Sequence, residues 1–111
     1  VNGSPGKDDE GTTSVEVIDK LIPDNFILNQ NYPNPFNPET RITYAIPERG
    51  YVTLKIYNSL GQEIKTLVNE FQKADWYSIY FNANGLASGV YFYKLQAGDN
   101  FHMVRKMLLI R

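Results

Sequence analysis

The sequence predicts an all-β fold, an antiparallel β-sandwich of about seven strands. Three observations point there. Apolar and polar residues alternate with period two through successive short stretches, the mark of strands with one buried face. Clusters of Gly, Pro, Asn and Asp interrupt the alternation about every 8–12 residues, the turn spacing of a sandwich. Between the turns β-branched and aromatic residues dominate, with aromatics at 14% of the chain, and no helical period persists over a useful length.

Residues 1–24 stand apart. They carry six acidic residues (Asp8, Asp9, Glu10, Glu16, Asp19, Asp24) against Lys7 and Lys20, among small polar runs such as Gly3-Ser4-Pro5-Gly6 and Gly11-Thr12-Thr13-Ser14. Such a segment buries too little apolar surface to offset its ordering entropy, so a flexible acidic linker is expected. Val15, Val17 and Ile18 are its one strand-forming run, and Val1 is expected to be a cut end. Residues 25–111 are the expected sandwich.

Asn25–Gln30 places Phe26 and Leu28 on one face. Asn31–Glu39 holds three prolines, which fix φ and remove backbone donors, so a shaped loop is required. Tyr32 and Phe36 are expected to plug the end of the sandwich. Thr40–Ile46 turns Ile42, Tyr44 and Ile46 to one side, and Tyr51–Tyr57 does the same with Val52, Leu54 and Ile56. The two sets are expected to share one core, in register on adjacent strands. Pro47-Glu48-Arg49-Gly50 is the turn between them.

Asn58-Ser59-Leu60-Gly61 reads as a hairpin turn with Gly61 at positive φ. Gln62–Val68 returns with Ile64 and Leu67 out of phase, which a bulge reconciles. Asn69–Trp76 reads as a polar connection, and Tyr77–Asn82 as a strand with Tyr77, Ile79 and Phe81 on one face. Ala83–Gly89 is a loop. Val90–Leu95 is nearly all apolar and aromatic, so both its faces are expected to be covered and it is the expected central strand. After the turn Ala97-Gly98-Asp99-Asn100, Phe101–Ile110 is the last strand.

Composition removes several chemistries. The 111 residues fit one domain. With no cysteine there is no thiol nucleophile or disulfide. With His102 as the one histidine, an ordinary N/S zinc site lacks ligands. A net charge of −1 offers no global basic field to nucleic acid. No apolar run approaches the ~20 residues of a membrane-spanning helix.

Asp8-Asp9-Glu10 lacks the spacing of a calcium loop. Glu39, Glu48, Glu63 and Glu70 lie beside turns or hairpin edges, with no pattern that brings two together as an acid–base pair. Lys55, Lys94, Asn82 and Glu63 are of the types that form isopeptide crosslinks, but no motif selects them. His102 reads as an exposed strand residue. No cofactor and no enzymatic activity are expected.

Four blocks in order carry a family resemblance. They are Asn31-Tyr32-Pro33-Asn34-Pro35-Phe36-Asn37-Pro38 continuing through Thr40-Arg41-Ile42-Thr43-Tyr44; Ile56-Tyr57-Asn58-Ser59-Leu60-Gly61-Gln62-Glu63-Ile64; Leu86-Ala87-Ser88-Gly89-Val90-Tyr91-Phe92-Tyr93; and Lys106-Met107-Leu108-Leu109-Ile110-Arg111. Over about Ile22 to Arg111 the chain resembles the type A C-terminal sorting domain of bacterial type IX secretion cargo. It departs after Ala74, where Asp75-Trp76 stands in place of the family's usual Gly.

The resemblance implies an immunoglobulin-like sandwich and a non-catalytic sorting signal. That signal would target an attached upstream cargo domain across the outer membrane to the surface of a Gram-negative bacterium. The implied partners are an outer-membrane translocon and a cell-surface sortase that usually removes the domain, with no nucleic acid involved.

The matching terminal motif places the signal mainly in Gly89–Arg111. The candidate recognition residues are Ser88, Gly89, Val90, Tyr91, Lys106, Met107 and Arg111. Tyr32, Pro33, Asn34, Pro35, Phe36, Asn37 and Pro38 form the structural loop. Residues 94–111 carry Lys94, Arg105, Lys106 and Arg111 against Asp99, a net +3 that suits an acidic partner surface. Screening limits such attraction to about 8–10 Å.

A second function class competes. Tyr32, Tyr51, Tyr57, Trp76, Tyr80 and Tyr91 exceed what a small core holds, and exposed aromatic faces stack sugar rings. That is the reading of a carbohydrate-binding module on a polysaccharide-degrading enzyme. Glycan retention by the purified chain separates the two.

Overall fold

The computed structural model describes residues 22–111. The expectations for Asp8-Asp9-Glu10 and for Val15, Val17 and Ile18 lie outside the described residues. Seven strands follow in order: β1 (Ile27–Leu28), β2 (Glu39–Ile46), β3 (Gly50–Tyr57), β4 (Glu63–Gln72), β5 (Asp75–Asn82), β6 (Gly89–Ala97) and β7 (Phe101–Leu109). They form a three-stranded sheet, β1-β2-β5, and a four-stranded sheet, β4-β3-β6-β7, with every pair antiparallel.

Alternation in the sequence becomes alternation in burial. Ile42, Tyr44 and Ile46 of β2 and Val52, Leu54 and Ile56 of β3 are all at most 1% exposed. Each such side chain contributes about 1.5–3 kcal/mol by leaving water. The two sets do share one core, but not as neighbours. β2 pairs with β1 and β5, whereas β3 pairs with β4 and β6, so the sets meet face to face across the sandwich. Period-two alternation specifies which side of a strand is buried, and it is silent on which sheet the strand joins.

The turn at Asn58–Gly61 forms as expected. Gly61 has φ +82°, and the Asn58 side-chain oxygen accepts from the Leu60 and Gln62 amides at 2.9 and 3.0 Å. The β3–β4 ladder shifts register between Leu54 and Lys55 and again between Ile56 and Tyr57, the irregularity that the phase of Ile64 and Leu67 demands. Asn69–Trp76 is not a connection. β4 runs on to Gln72 and β5 begins at Asp75, leaving Lys73 and Ala74 as the link. The stretch reads as polar because β4 is an edge strand in which Val68 is the one buried residue.

β6 is central, between β3 and β7. Its inner face (Tyr91, Tyr93, Leu95, Ala97) is buried, while Phe92 and Lys94 on the outer face are half-buried and Val90 and Gln96 are exposed. Near the start of β6 the Tyr91 hydroxyl donates to the Ala87 carbonyl at 2.7 Å. This contact is a tyrosine corner, and β1-β2-β5 against β4-β3-β6-β7 corresponds to strands A-B-E against C′-C-F-G of an immunoglobulin-like sandwich. Tyr91 is therefore no surplus surface aromatic: it is 7% exposed.

Candidate recognition surface

The Asn/Pro loop and β7 form one unit. β7 is an edge of the four-stranded sheet, so half its backbone groups point away from β6. The loop, with the Gln30 side chain just before it, satisfies most of those of its second half. The Phe36 amide donates to the Leu108 carbonyl and the Ile110 amide to the Phe36 carbonyl, both at 3.0 Å. The Leu108 amide donates to Asn34 Oδ1 at 3.0 Å, and Gln30 Nε2 donates to the Lys106 carbonyl at 2.7 Å.

Phe36 is the plug, at 2% exposed, tilted against the buried Phe81 at 6.1 Å between centroids. Tyr32, the other expected plug, is instead 76% exposed. Its backbone pairs with Arg41, which turns its ring outward with the Arg41 side chain.

Behind the loop lies a buried polar cluster. Asn31 Nδ2 donates to Thr40 Oγ1 at 2.9 Å, and that hydroxyl donates to the Pro33 carbonyl at 2.8 Å. The Tyr93 hydroxyl accepts from the Asn31 amide at 2.8 Å and donates to the Asn29 carbonyl at 2.6 Å. Burial pushes the Tyr93 phenol up to about 12. Arg105 Nε donates to the Leu28 carbonyl, so a basic residue of β7 is spent on joining the two sheets.

The expected recognition residues divide between the two faces of the β6–β7 hairpin. Tyr91 and Met107 are cross-strand partners that point into the core, with Met107 at 1% exposed. Val90 and Lys106 point outward, opposite Leu108 and Phe92 respectively. Ser88 and Arg111 meet as a latch: the Arg111 amide donates to Ser88 Oγ at 3.0 Å, and Arg111 Nε donates to the Leu86 carbonyl at 2.7 Å. Gly89 holds φ +151° where the chain enters β6.

The structure adds Phe92, Lys94, Val104 and Leu108 to the outward set. Lys94 sits opposite both Lys55 and Val104. The sequence holds a signal for them, since they are the period-two complement of the core positions, whereas a motif is a run of contiguous residues whose alternate members face the core.

This outer face is apolar at one side and cationic at the centre. Val90 is 36%, Leu108 37% and Val104 52% exposed. Lys55 is paired with Glu63, Nζ to Oε1 at 3.3 Å, which offsets its repulsion with Lys94 across the strands. A hydrogen bond from Thr66, then the contacts of Lys55, hold the Glu63 carboxyl below its usual range. Lys55 and Glu63 thus make a solvated ion pair rather than a buried crosslinking site.

Fold and surface define an antiparallel β-sandwich module whose last hairpin is latched along the β7 edge and at its open end and carries a mixed apolar and basic outer face. The chain belongs to the secretion system C-terminal sorting domain family, the sorting domains of type IX secretion, whose model matches residues 30–110. It is a sorting signal of a secreted protein, cell-surface or extracellular. No curated protein and no solved structure matches the chain.

Proposed function

We propose that this domain carries an attached cargo region across the bacterial outer membrane to the cell surface, and that the machinery reads the outer face of β6 and β7. The family match over residues 30–110 supports the sorting role. The domain acts as an address and performs no catalysis. Its partners are an outer-membrane translocon and a surface sortase, and residues 25–111 are the sorting unit. The face supports the role because its cations and apolar side chains sit on a sheet held rigid by the loop and the Ser88–Arg111 latch. Pre-organised surfaces lose less entropy on binding.

The test fuses the chain to a reporter in a host that has the secretion system. Lys94→Gln with Lys106→Gln removes two cations from the outer face and spares the core face. The expected result is a folded reporter retained in the periplasm, with surface delivery down at least about tenfold, the weight of ~1.4 kcal/mol. Replacing Val1–Lys20 with a Gly/Ser spacer of equal length is expected to leave delivery unchanged. Normal export of the folded double variant would remove these lysines from the signal. Surface delivery after deletion of Lys106–Arg111 would overturn the sorting assignment to this hairpin.

A further inference from the structure

The outer face of the other sheet carries a feature that sorting leaves unexplained. On β2 and β5 the outward residues are Glu39, Arg41, Thr43 and Ala45 and their cross-strand partners Asn82, Tyr80, Ser78 and Trp76. Tyr32 pairs with Arg41 on the far side, so Tyr32, Arg41 and Tyr80 form one row across the sheet. Tyr32 is 76%, Tyr80 63% and Trp76 41% exposed. The row between Tyr80 and Trp76 is small and hydroxylated, with Thr43 Oγ1 and Ser78 Oγ 2.9 Å apart. Strand geometry puts Tyr80 about 13 Å from Trp76 along β5, and Tyr32 about 10 Å from Tyr80 across the sheet.

The opposite sheet shows what exposed aromatics look like when the protein itself uses them. Tyr51 and Phe71 pack edge to face at 5.0 Å, Arg49 lies 5.5 Å over the Phe71 ring, and the Tyr51 hydroxyl donates to Asn69 Oδ1 at 2.6 Å. Among the described residues the rings of Tyr32, Trp76 and Tyr80 have no aromatic partner. Within the same residues their polar tips make no side-chain hydrogen bond, unlike the hydroxyls of Tyr44, Tyr77, Tyr91 and Tyr93.

A protein partner would favour an apolar centre, but the centre here is Thr43 and Ser78, and Ala45 is fully covered. A nucleic acid would need a run of cations, and Arg41 is the one cation among these outward residues. Separated aromatic plates flanking hydroxyls, with a guanidinium in the row, match one ligand chemistry well. Sugar rings offer flat C–H faces to the plates and hydroxyls to the polar groups between them.

We propose that the outer face of β2 and β5 is a glycan-stacking platform for an extended polysaccharide with flat pyranose faces, built on Tyr80, Trp76 and Tyr32. It is independent of the β6–β7 face, so its failure leaves the sorting reading untouched.

Trp76 is the one tryptophan of the chain, so its fluorescence reports directly on this surface. The full chain is run in native gels containing hydroxyethylcellulose, glucomannan or soluble xylan, and titrated with the same polymers. Retardation in at least one polymer is expected, with a change in Trp76 emission. Tyr80→Ala and Tyr32→Ser are each expected to weaken binding at least tenfold, while Tyr51→Ala on the other sheet leaves it within twofold. Thermal unfolding of each variant separates lost binding from lost folding, and the two platform variants give independent readings. Absence of retardation and of any fluorescence change with all the polymers overturns the proposal. So does a Tyr51→Ala loss equal to that of a folded Tyr80→Ala or Tyr32→Ser.

Discussion

β4 and β7 are the two edges of one sheet, and they are protected in different ways. An open edge presents unpaired backbone groups that invite pairing with another chain. β4 answers locally. Its ladder to β3 is bulged at two points, and Glu63, Lys65 and Glu70 place charges along it. β7 answers with tertiary structure: the Asn/Pro loop supplies Asn34 and the Phe36 backbone, and Gln30 just before it a side-chain amide, to the groups of its second half. An edge guarded by its own residues is readable in that strand. An edge guarded by a distant loop is visible only once the loop is placed.

The sharpest way to break this contrast is at the plug. Phe36→Ala is expected to cost about 3–5 kcal/mol, from lost transfer energy and a residual cavity. Ile64→Ala on β4, 36% exposed, should stay within about 0.5 kcal/mol. Urea denaturation of both variants decides it, and equal losses would mean that the loop is not held by its buried ring.

Next in size is Tyr93→Phe. It strips the Asn31 amide and the Asn29 carbonyl of their shared hydroxyl, at an expected cost of about 1–3 kcal/mol.

The same hydroxyl gives an alkaline limit. Burial pushes Tyr93 and Tyr44 up to about 12 in the folded chain, against an ordinary value of 10.0. Above pH 10.0 the unfolded chain has shed protons that the folded chain keeps, so stability is flat below that point and falls as pH rises toward about 12. Denaturation midpoints between pH 9 and 12 are the measurement, and Tyr93→Phe should show a shallower decline.

Asn34→Ala sharpens the comparison within β7. It removes the partner of the Leu108 amide, at about 0.5–1.5 kcal/mol. Hydrogen exchange should quicken at Leu108 and leave Val104 unchanged, since Val104 points from the same edge beyond the loop's reach. The smallest effect is expected at the exposed Lys55–Glu63 pair, where Lys55→Gln should change stability by less than about 1 kcal/mol.

Much of this molecule was legible in the chain. The faces of β2 and β3 followed from alternation, the central place of β6 from its apolar run, and the Gly61 turn and the bulged return strand from local chemistry, because those signals act between residues close in sequence. The family followed from four blocks of residues.

The candidate site was legible only in outline. The motifs set Val90 beside Tyr91 and Lys106 beside Met107, yet neighbours on a strand face opposite ways, so one of each pair lies in the core. Tyr91 is buried because its hydroxyl has the Ala87 carbonyl to donate to, and Tyr32 is exposed because its backbone pairs with Arg41. Two tyrosines of one chemistry thus received opposite fates from contacts that composition does not carry.

By itself the sequence determined most of the strands, which side of most of them is apolar, and every turn between them except the one at Lys73-Ala74. Those properties depend on backbone preference and period, which are local. Only the tertiary structure decided that β2 and β3 oppose each other across the core, that the loop closes the edge of β7, and that Tyr32, Tyr80 and Trp76 share one outer face. Those are choices among partners, and a period-two pattern looks the same from every strand that could pair with it.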